Sequence, residues 1–140
     1  HKGGAEDKHL DLVLDDRSAA GDDCYADMEP SDASLVFDNL IENAIMYTDE
    51  GSILVTFEPR AHEIAVIVQD TGIGIPQADQ SRIFERFYRV DKARSREVGG
   101  TGLGLSLVRH AVERSNGRVS VKSNPGEGSQ FTVVFPRSKR

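Results

Sequence analysis

The stretch EIAVIVQDTGIGI, Glu63–Ile75, decides the fold. Ile64, Val66 and Val68 recur at every second residue, the period of a strand with one face in a core. Asp70 ends that strand, so its carboxylate falls at the mouth of the core. Thr71–Pro76 then reads as a loop punctuated by Gly72 and Gly74. A strand that closes on an acid and runs straight into glycines is either an ordinary turn or the floor of a site.

Working outward, SILVTFE (Ser52–Glu58) is a second strand, joined to the first as a hairpin across Pro59-Arg60-Ala61-His62. Before it, Pro30 and Ser31 open a helix, with Ser31 as N-cap and Asp32 favouring the first turn. Val36, Leu40 and Ala44, with Phe37, Ile41 and Ile45, keep helical spacing to about Tyr47, and Asp49-Glu50-Gly51 breaks it. His9–Asp15 alternates as a strand, and Cys24–Met28 suits a short one. Downstream, Gln80–Phe87 is a short helix and Tyr88–Thr101 a charged, mobile loop. Gly102–Ser115 is a helix by Leu103, Leu107, Val108, Ala111 and Val112, stopped at Asn116-Gly117. Arg118–Lys122 and Ser129–Phe135 are strands about a turn at Pro125–Gly128. Strands dispersed among helices predict an α/β layer, one mixed sheet with helices on one face.

The chain has 140 residues, 38% of them hydrophobic, which suits one domain with its own core. Its single cysteine, Cys24, excludes a disulfide framework and a multi-cysteine zinc site. No apolar run approaches the roughly 18–20 residues that span a bilayer, and no signal peptide is recognisable. The expectation is a soluble domain of a reducing compartment. The net charge of −6 argues against a general nucleic-acid binder. Residues 1–32 hold ten acidic and three basic side chains, whereas 82–96 hold six basic ones against Glu85 and Asp91. A local basic patch on an acidic domain suits a small anionic ligand, although any charge cluster also serves as a solvated face. Residues 1–8 read as a linker or a segment added in cloning, and 9–140 as the domain.

Four segments carry chemistry. Asn39 and Asn43 stand four apart and stack on one side of their helix. An amide oxygen is a hard ligand that completes a magnesium shell beside water and phosphate oxygens. The Asp70 carboxylate only accepts hydrogen bonds, so at a purine edge it favours adenine's exocyclic amine over guanine's keto oxygen. Gly72 and Gly74 let backbone approach a flat ring. Phe84 and Phe87, three apart, anchor a helix face to the core, and Arg89 follows where a guanidinium reaches a phosphate. Finally, GGTGLGL (Gly99–Leu105) opens an amphipathic helix, whose N–H groups and positive dipole end favour an anion. It is neither a Walker loop, lacking Gly-Lys-Ser/Thr, nor a dinucleotide fingerprint, since position 107 is Leu.

In this order the segments resemble the ATP-binding catalytic domain of bacterial sensor histidine kinases, within the superfamily that includes gyrase B, Hsp90 and MutL. NLIENAIMYT resembles the N box, DTGIGI the first glycine box, IFERFYRVD the F box and GGTGLGL the second glycine box. The resemblance covers about residues 9–136. It implies the Bergerat fold, an α+β two-layer sandwich with a mixed, mostly antiparallel sheet and about three helices on one face. It also implies ATP and Mg2+ as cofactors. Asn43 then coordinates the metal, Asn39 supports the triphosphate, and Tyr47 and Ile75 line the nucleotide site. Asp70 bonds the adenine amine, and Gly72 and Gly74 line the base pocket. Tyr88 and Arg89 approach the phosphates, with Arg89 and Asn43 as the catalytic pair. Gly100, Thr101, Gly102, Leu103, Gly104 and Leu105 fold over the triphosphate, after a lid at about Val90–Thr101.

Two departures bear on mechanism. Met46 stands where the family usually has a lysine that reaches the phosphates. His1, His9, His62 and His110 all lack the phosphoacceptor context, so the acceptor is expected on a separate helical dimerisation domain. In the ATPase relatives an acidic base lies four residues before the magnesium Asn. Here that residue is Asn39, and steady hydrolysis is expected to be slow. The resemblance further implies a response regulator as partner, no nucleic acid, a monomeric fragment and a homodimeric parent. It places the domain in the cytoplasmic portion of a membrane-anchored sensor. The competing expectation is a degenerate regulatory module that binds nucleotide without efficient transfer.

Overall fold

The computed structural model describes residues 10–16, 30–48, 50–85 and 104–137. Five strands form one sheet: β1 (Leu10–Asp16), β2 (Gly51–Pro59), β3 (Glu63–Asp70), β4 (Arg118–Asn124) and β5 (Gly128–Pro136). Among the described residues three helices accompany them: α1 (Pro30–Met46), α2 (Gln77–Gln80) and α3 (Gly104–Arg114). The spatial strand order is β1-β2-β3-β5-β4. β1 runs parallel to β2, and every other pairing is antiparallel. Parallel neighbours need a crossover, and α1 lies in the connection between β1 and β2. The mixed, mostly antiparallel sheet expected from the sequence is therefore the one observed.

Register places Val55, Val68, Phe131 and Val121 side by side on one sheet face. Against that face pack Val36, Leu40 and Ala44 of α1 and Val108, Ala111 and Val112 of α3, all buried. Residues four apart share a helix face, so the sequence periodicity translates directly into this layer. Two edge-to-face ring pairs fasten the layer to β5: Phe37 with Phe135 at 6.3 Å and Phe84 with Phe131 at 6.1 Å. Asp32, in the first turn of α1, is bound by both guanidinium arms of Arg114 at the end of α3.

Helix ends follow local rules. α3 stops in a Schellman motif: Gly117 N–H donates to the Val112 carbonyl at 2.9 Å and Asn116 N–H to that of Glu113 at 3.0 Å. Asn116, not the glycine, takes the left-handed conformation at φ 62°. The β2–β3 hairpin closes through Arg60 N–H to the Glu63 carbonyl at 2.8 Å. Among the described residues no helix is long and apolar enough to cross a membrane.

Two local expectations change. Ser31 does not cap α1: the helix already begins at Pro30, whose fixed φ suits a first helical position. The helix expected over Gln80–Phe87 lies earlier and is shorter, Gln77–Gln80, entered directly from Pro76. Beyond it the chain continues as turns, with Arg82 N–H to the Asp79 carbonyl at 2.8 Å and Glu85 N–H to that of Arg82 at 2.9 Å. Ile83 and Phe84 still pack on the core, from turns rather than from a helix. The short strand expected at Cys24–Met28 lies outside the described residues, as do Arg86–Leu103.

Candidate functional site

Asn39, Asn43 and Tyr47 follow one another at four-residue intervals along a side of α1 and its last turn. Each end of that line meets another element. At the near end Asn39 Nδ2 donates to the Leu35 carbonyl at 2.7 Å, which fixes the amide. Its Oδ1 faces the start of α3, where a Cβ added to Gly104 would sit 2.7 Å away. At the far end the Tyr47 carbonyl accepts the Ile73 N–H at 3.0 Å. Asn43 stands half-buried between these two anchors, and its side chain has no hydrogen-bond partner among the described residues.

The loop after β3 is bound on two sides. Ile75 N–H donates to Ser123 Oγ at 2.7 Å, and Gly126 N–H donates to the Ile73 carbonyl at 2.8 Å. A Cβ on Gly72 would lie 2.1 Å from the Tyr47 carbonyl oxygen, and one on Gly74, at φ +76°, 2.3 Å from that of Asn124. Both glycines thus make room for the protein's own backbone, where the sequence suggested room for a ring.

Asp70 is 3% exposed. Its Oδ1 accepts the Gly72 N–H at 3.0 Å and the Ser129 N–H at 3.1 Å. Its Oδ2 has no N–H partner among the described residues. Burial pushes this carboxyl above the ordinary carboxylate range, while the two N–H groups and the Thr48 hydroxyl pull the other way. No charged side chain among the described residues contributes. Thr48 itself is fully buried, and its hydroxyl, although it acts on this carboxylate, makes no formed hydrogen bond. An orphaned buried hydroxyl costs about 1–3 kcal/mol, so its retention calls for a reason.

A third group supports the same corner. Ser123 Oγ accepts from Ile75, donates to the Gly128 carbonyl at 2.9 Å and meets Ser129 Oγ at 2.9 Å. Gln80 Nε2 donates to the Ile75 and Ser123 carbonyls, both at 2.9 Å. One polar chain therefore runs from α2 through β4 and β5 to Asp70. Sequence reasoning missed Thr48, Ser123, Ser129 and Gln80. Ser129 is paired with Asp70 only by the β3–β5 register, which no local pattern announces.

Of the residues expected at a site, Asn39, Asn43, Tyr47, Asp70, Gly72, Gly74, Ile75, Gly104 and Leu105 fall in described segments. They string along one side of α1, with Gly104 of α3 against its Asn39 end and the loop after β3 against its Tyr47 end. Tyr88, Arg89, Gly100, Thr101, Gly102 and Leu103 lie outside the described residues. Met46, in the lysine position, is half-buried at the end of α1. No cluster of three His, Cys, Asp or Glu side chains among the described residues would hold a metal alone. A single amide oxygen at Asn43 fits magnesium that brings most of its oxygens from water and a phosphate ligand.

Comparison with known proteins bears on the family and the fold. The chain is 50% identical over 99 residues to the sensor-like histidine kinase SenX3 of Mycolicibacterium smegmatis, covering 70% of this chain and 26% of that protein. It is 37% identical over 135 residues to the sensor histidine kinase WalK of Bacillus subtilis, covering 94% of this chain and 21% of that protein. The chain thus spans about a quarter of the length of the curated relatives it matches. Its fold matches the nucleotide-free catalytic domain of the histidine kinase ThkA, with TM-score 0.80 at 24% identity over 96% of this chain and 85% of that one. Full-length ShkA in complex with AMPPNP matches with TM-score 0.80 at 24% identity, over 99% of this chain and 28% of that one. The regulatory-module alternative finds no support among these relatives. Residues 28–139 match the family model of histidine kinase-, DNA gyrase B- and HSP90-like ATPases, and the chain belongs to that family.

Proposed function

We propose that the chain is the catalytic domain of a two-component sensor histidine kinase. It holds Mg-ATP and presents the γ-phosphoryl group to a histidine on a separate helical dimerisation domain. The observation that carries this is Asp70: a buried carboxylate, one oxygen fixed by two backbone N–H groups, whose loop seats on Tyr47, one helical turn past Asn43. An acceptor so placed suits an amine-bearing base. The Asn43 amide oxygen suits the metal that accompanies the phosphates. The start of α3, eleven residues long, offers backbone N–H groups and a positive dipole end to the phosphate tail.

Phosphoryl transfer needs little covalent work from the protein. Asp70 fixes the base, Asn39 and Gly104 set the approach of α1 to α3, and an imidazole from outside the domain attacks in line. Asn39 offers an amide where hydrolysis would need a base, which suits transfer to another domain over reaction with water. The partners are the phosphoacceptor domain of the same kinase and then a response regulator, in a homodimeric parent with a membrane anchor. SenX3 and WalK, named as sensor kinases, support this placement.

Calorimetry with Mg-ATP, Mg-ADP and Mg-GTP tests the binding step. The two adenine nucleotides are expected to bind, and Mg-GTP at least about tenfold more weakly, since a keto oxygen would face the carboxylate. Equal affinity for Mg-GTP overturns the assignment. Radiolabelled ATP mixed with the acceptor domain then reports transfer as phosphohistidine.

A further inference from the structure

We propose that the Thr48 hydroxyl is a positioning group for the Asp70 carboxylate, and through it sets the preference for an amine-bearing purine over a keto purine. The proposal rests on the adenine assignment of Asp70 and deepens it. Thr48 is the second residue past α1, held by its N–H to the Ile45 carbonyl at 3.4 Å, and is fully buried. Its hydroxyl is the one buried side-chain polar atom without a hydrogen-bond partner among the described residues. A valine would fill the same space without leaving a donor orphaned.

Geometry places that donor against the loop that holds Asp70. A Cβ on Gly72 would stand 2.7 Å from Thr48 Oγ1 and 2.1 Å from the Tyr47 carbonyl oxygen, so the absence of a side chain at Gly72 is what brings Thr48 alongside the loop. The same Gly72 donates its N–H to Asp70 Oδ1. Oδ1 already has two N–H partners, which leaves Oδ2 for the ligand and for the hydroxyl. A bound amine draws Oδ2 into place, and the Thr48 O–H closes onto the carboxylate from the protein side. The hydroxyl also favours the ionised carboxylate, the form that accepts from an amine. Among the described residues the groups around Asp70 are Thr48 from the end of α1, Gly72 from its own loop, Gly128 and Ser129 from β5 and Ile53 from β2, none of them charged.

Titration of the chain with Mg-ADP and with Mg-inosine diphosphate over about pH 5 to 8 tests this. Thr48→Val is expected to lose about three- to tenfold in Mg-ADP affinity at neutral pH and to leave Mg-inosine diphosphate unchanged. Its Mg-ADP affinity falls away at higher pH than in the parent, because protonation of Asp70 sets in earlier on acidification. Thr48→Ser restores both, which a purely space-filling role would not predict. If Thr48→Val does not fold, Thr48→Ala against Thr48→Ser makes the same comparison. Unchanged Mg-ADP affinity and pH profile in the hydroxyl-free variant, while Asp70→Asn still loses Mg-ADP, overturns the role of Thr48 alone. Unchanged Mg-ADP affinity in Asp70→Asn overturns the base site and this proposal together.

Discussion

Asn39 Oδ1 lies 2.7 Å from the point that a Cβ on Gly104 would occupy. This contact sets how closely α1 approaches the start of α3, and it joins an N-box amide to the second glycine box. Gly104→Ala forces the amide aside and threatens its bond to the Leu35 carbonyl, a loss of about 0.5–1.5 kcal/mol. Alanine returns up to about 1 kcal/mol through helix propensity. Stability in urea is therefore expected to change by less than about 1 kcal/mol. Affinity for Mg-ATP is expected to drop about tenfold or more, because a misplaced positioning group degrades a binding geometry far more than it degrades a core. A large loss of stability with intact affinity would contradict this division.

Gly72→Ala has the opposite character. Its Cβ would meet the Tyr47 carbonyl oxygen at 2.1 Å, and backbone at the end of α1 has no rotamer to yield. Relief requires the loop to lift, which breaks the Ile73 N–H to Tyr47 bond. A loss of about 2–4 kcal/mol is expected in chemical denaturation, with binding falling in parallel.

These two glycines show where the sequence was legible. Period-two and period-3.6 patterns fixed β2, β3, α1 and α3, because burial on one face leaves a local imprint. The spacing of Asn39 and Asn43 and the strand-terminal place of Asp70 were legible for the same reason. The purpose of Gly72 and Gly74 was not: what fills the space beside them comes from Tyr47 and Asn124, remote in sequence. Ser129 reaches Asp70 across 59 residues, and Ser123 reaches Ile75 across 48. Thr48 carries no local sign of its role, since a threonine after a helix is ordinary. The segment from Gln80 onward was misplaced because Ile83 and Phe84 suit a turn as well as a helix.

Asp70→Asn separates stability from binding. Burial raises the folded-state pKa of this carboxyl, so its contribution favours folding below the unfolded value and is lost as pH rises through the folded one. At neutral pH the ionised group is therefore a burden on the fold. Asparagine keeps an oxygen for the Gly72 and Ser129 N–H groups and carries no charge. The variant is expected to melt at or above the parent temperature at neutral pH, with the advantage shrinking on acidification. Mg-ATP affinity is expected to fall by about tenfold or more, since an N–H now opposes the amine. Thermal melts across pH, read beside titrations at one pH, check both halves.

Asn116 tests the end of α3 independently of any ligand. It holds φ 62° inside the Schellman motif that positions the start of β4. Glycine adopts that conformation without a Cβ conflict, so Asn116→Gly is expected to be neutral or slightly stabilising. A β-branched residue meets the following carbonyl, and Asn116→Val is expected to lose about 1–2 kcal/mol. The Asp70 corner lies at the opposite end of β5, because Asp70 pairs with Ser129 while Arg118 pairs with Val134. Nucleotide affinity is accordingly expected to stay within about twofold of the parent in both variants, as distant sites act independently. Equal stability of the glycine and valine variants in urea would show that the left-handed turn is not what ends the helix.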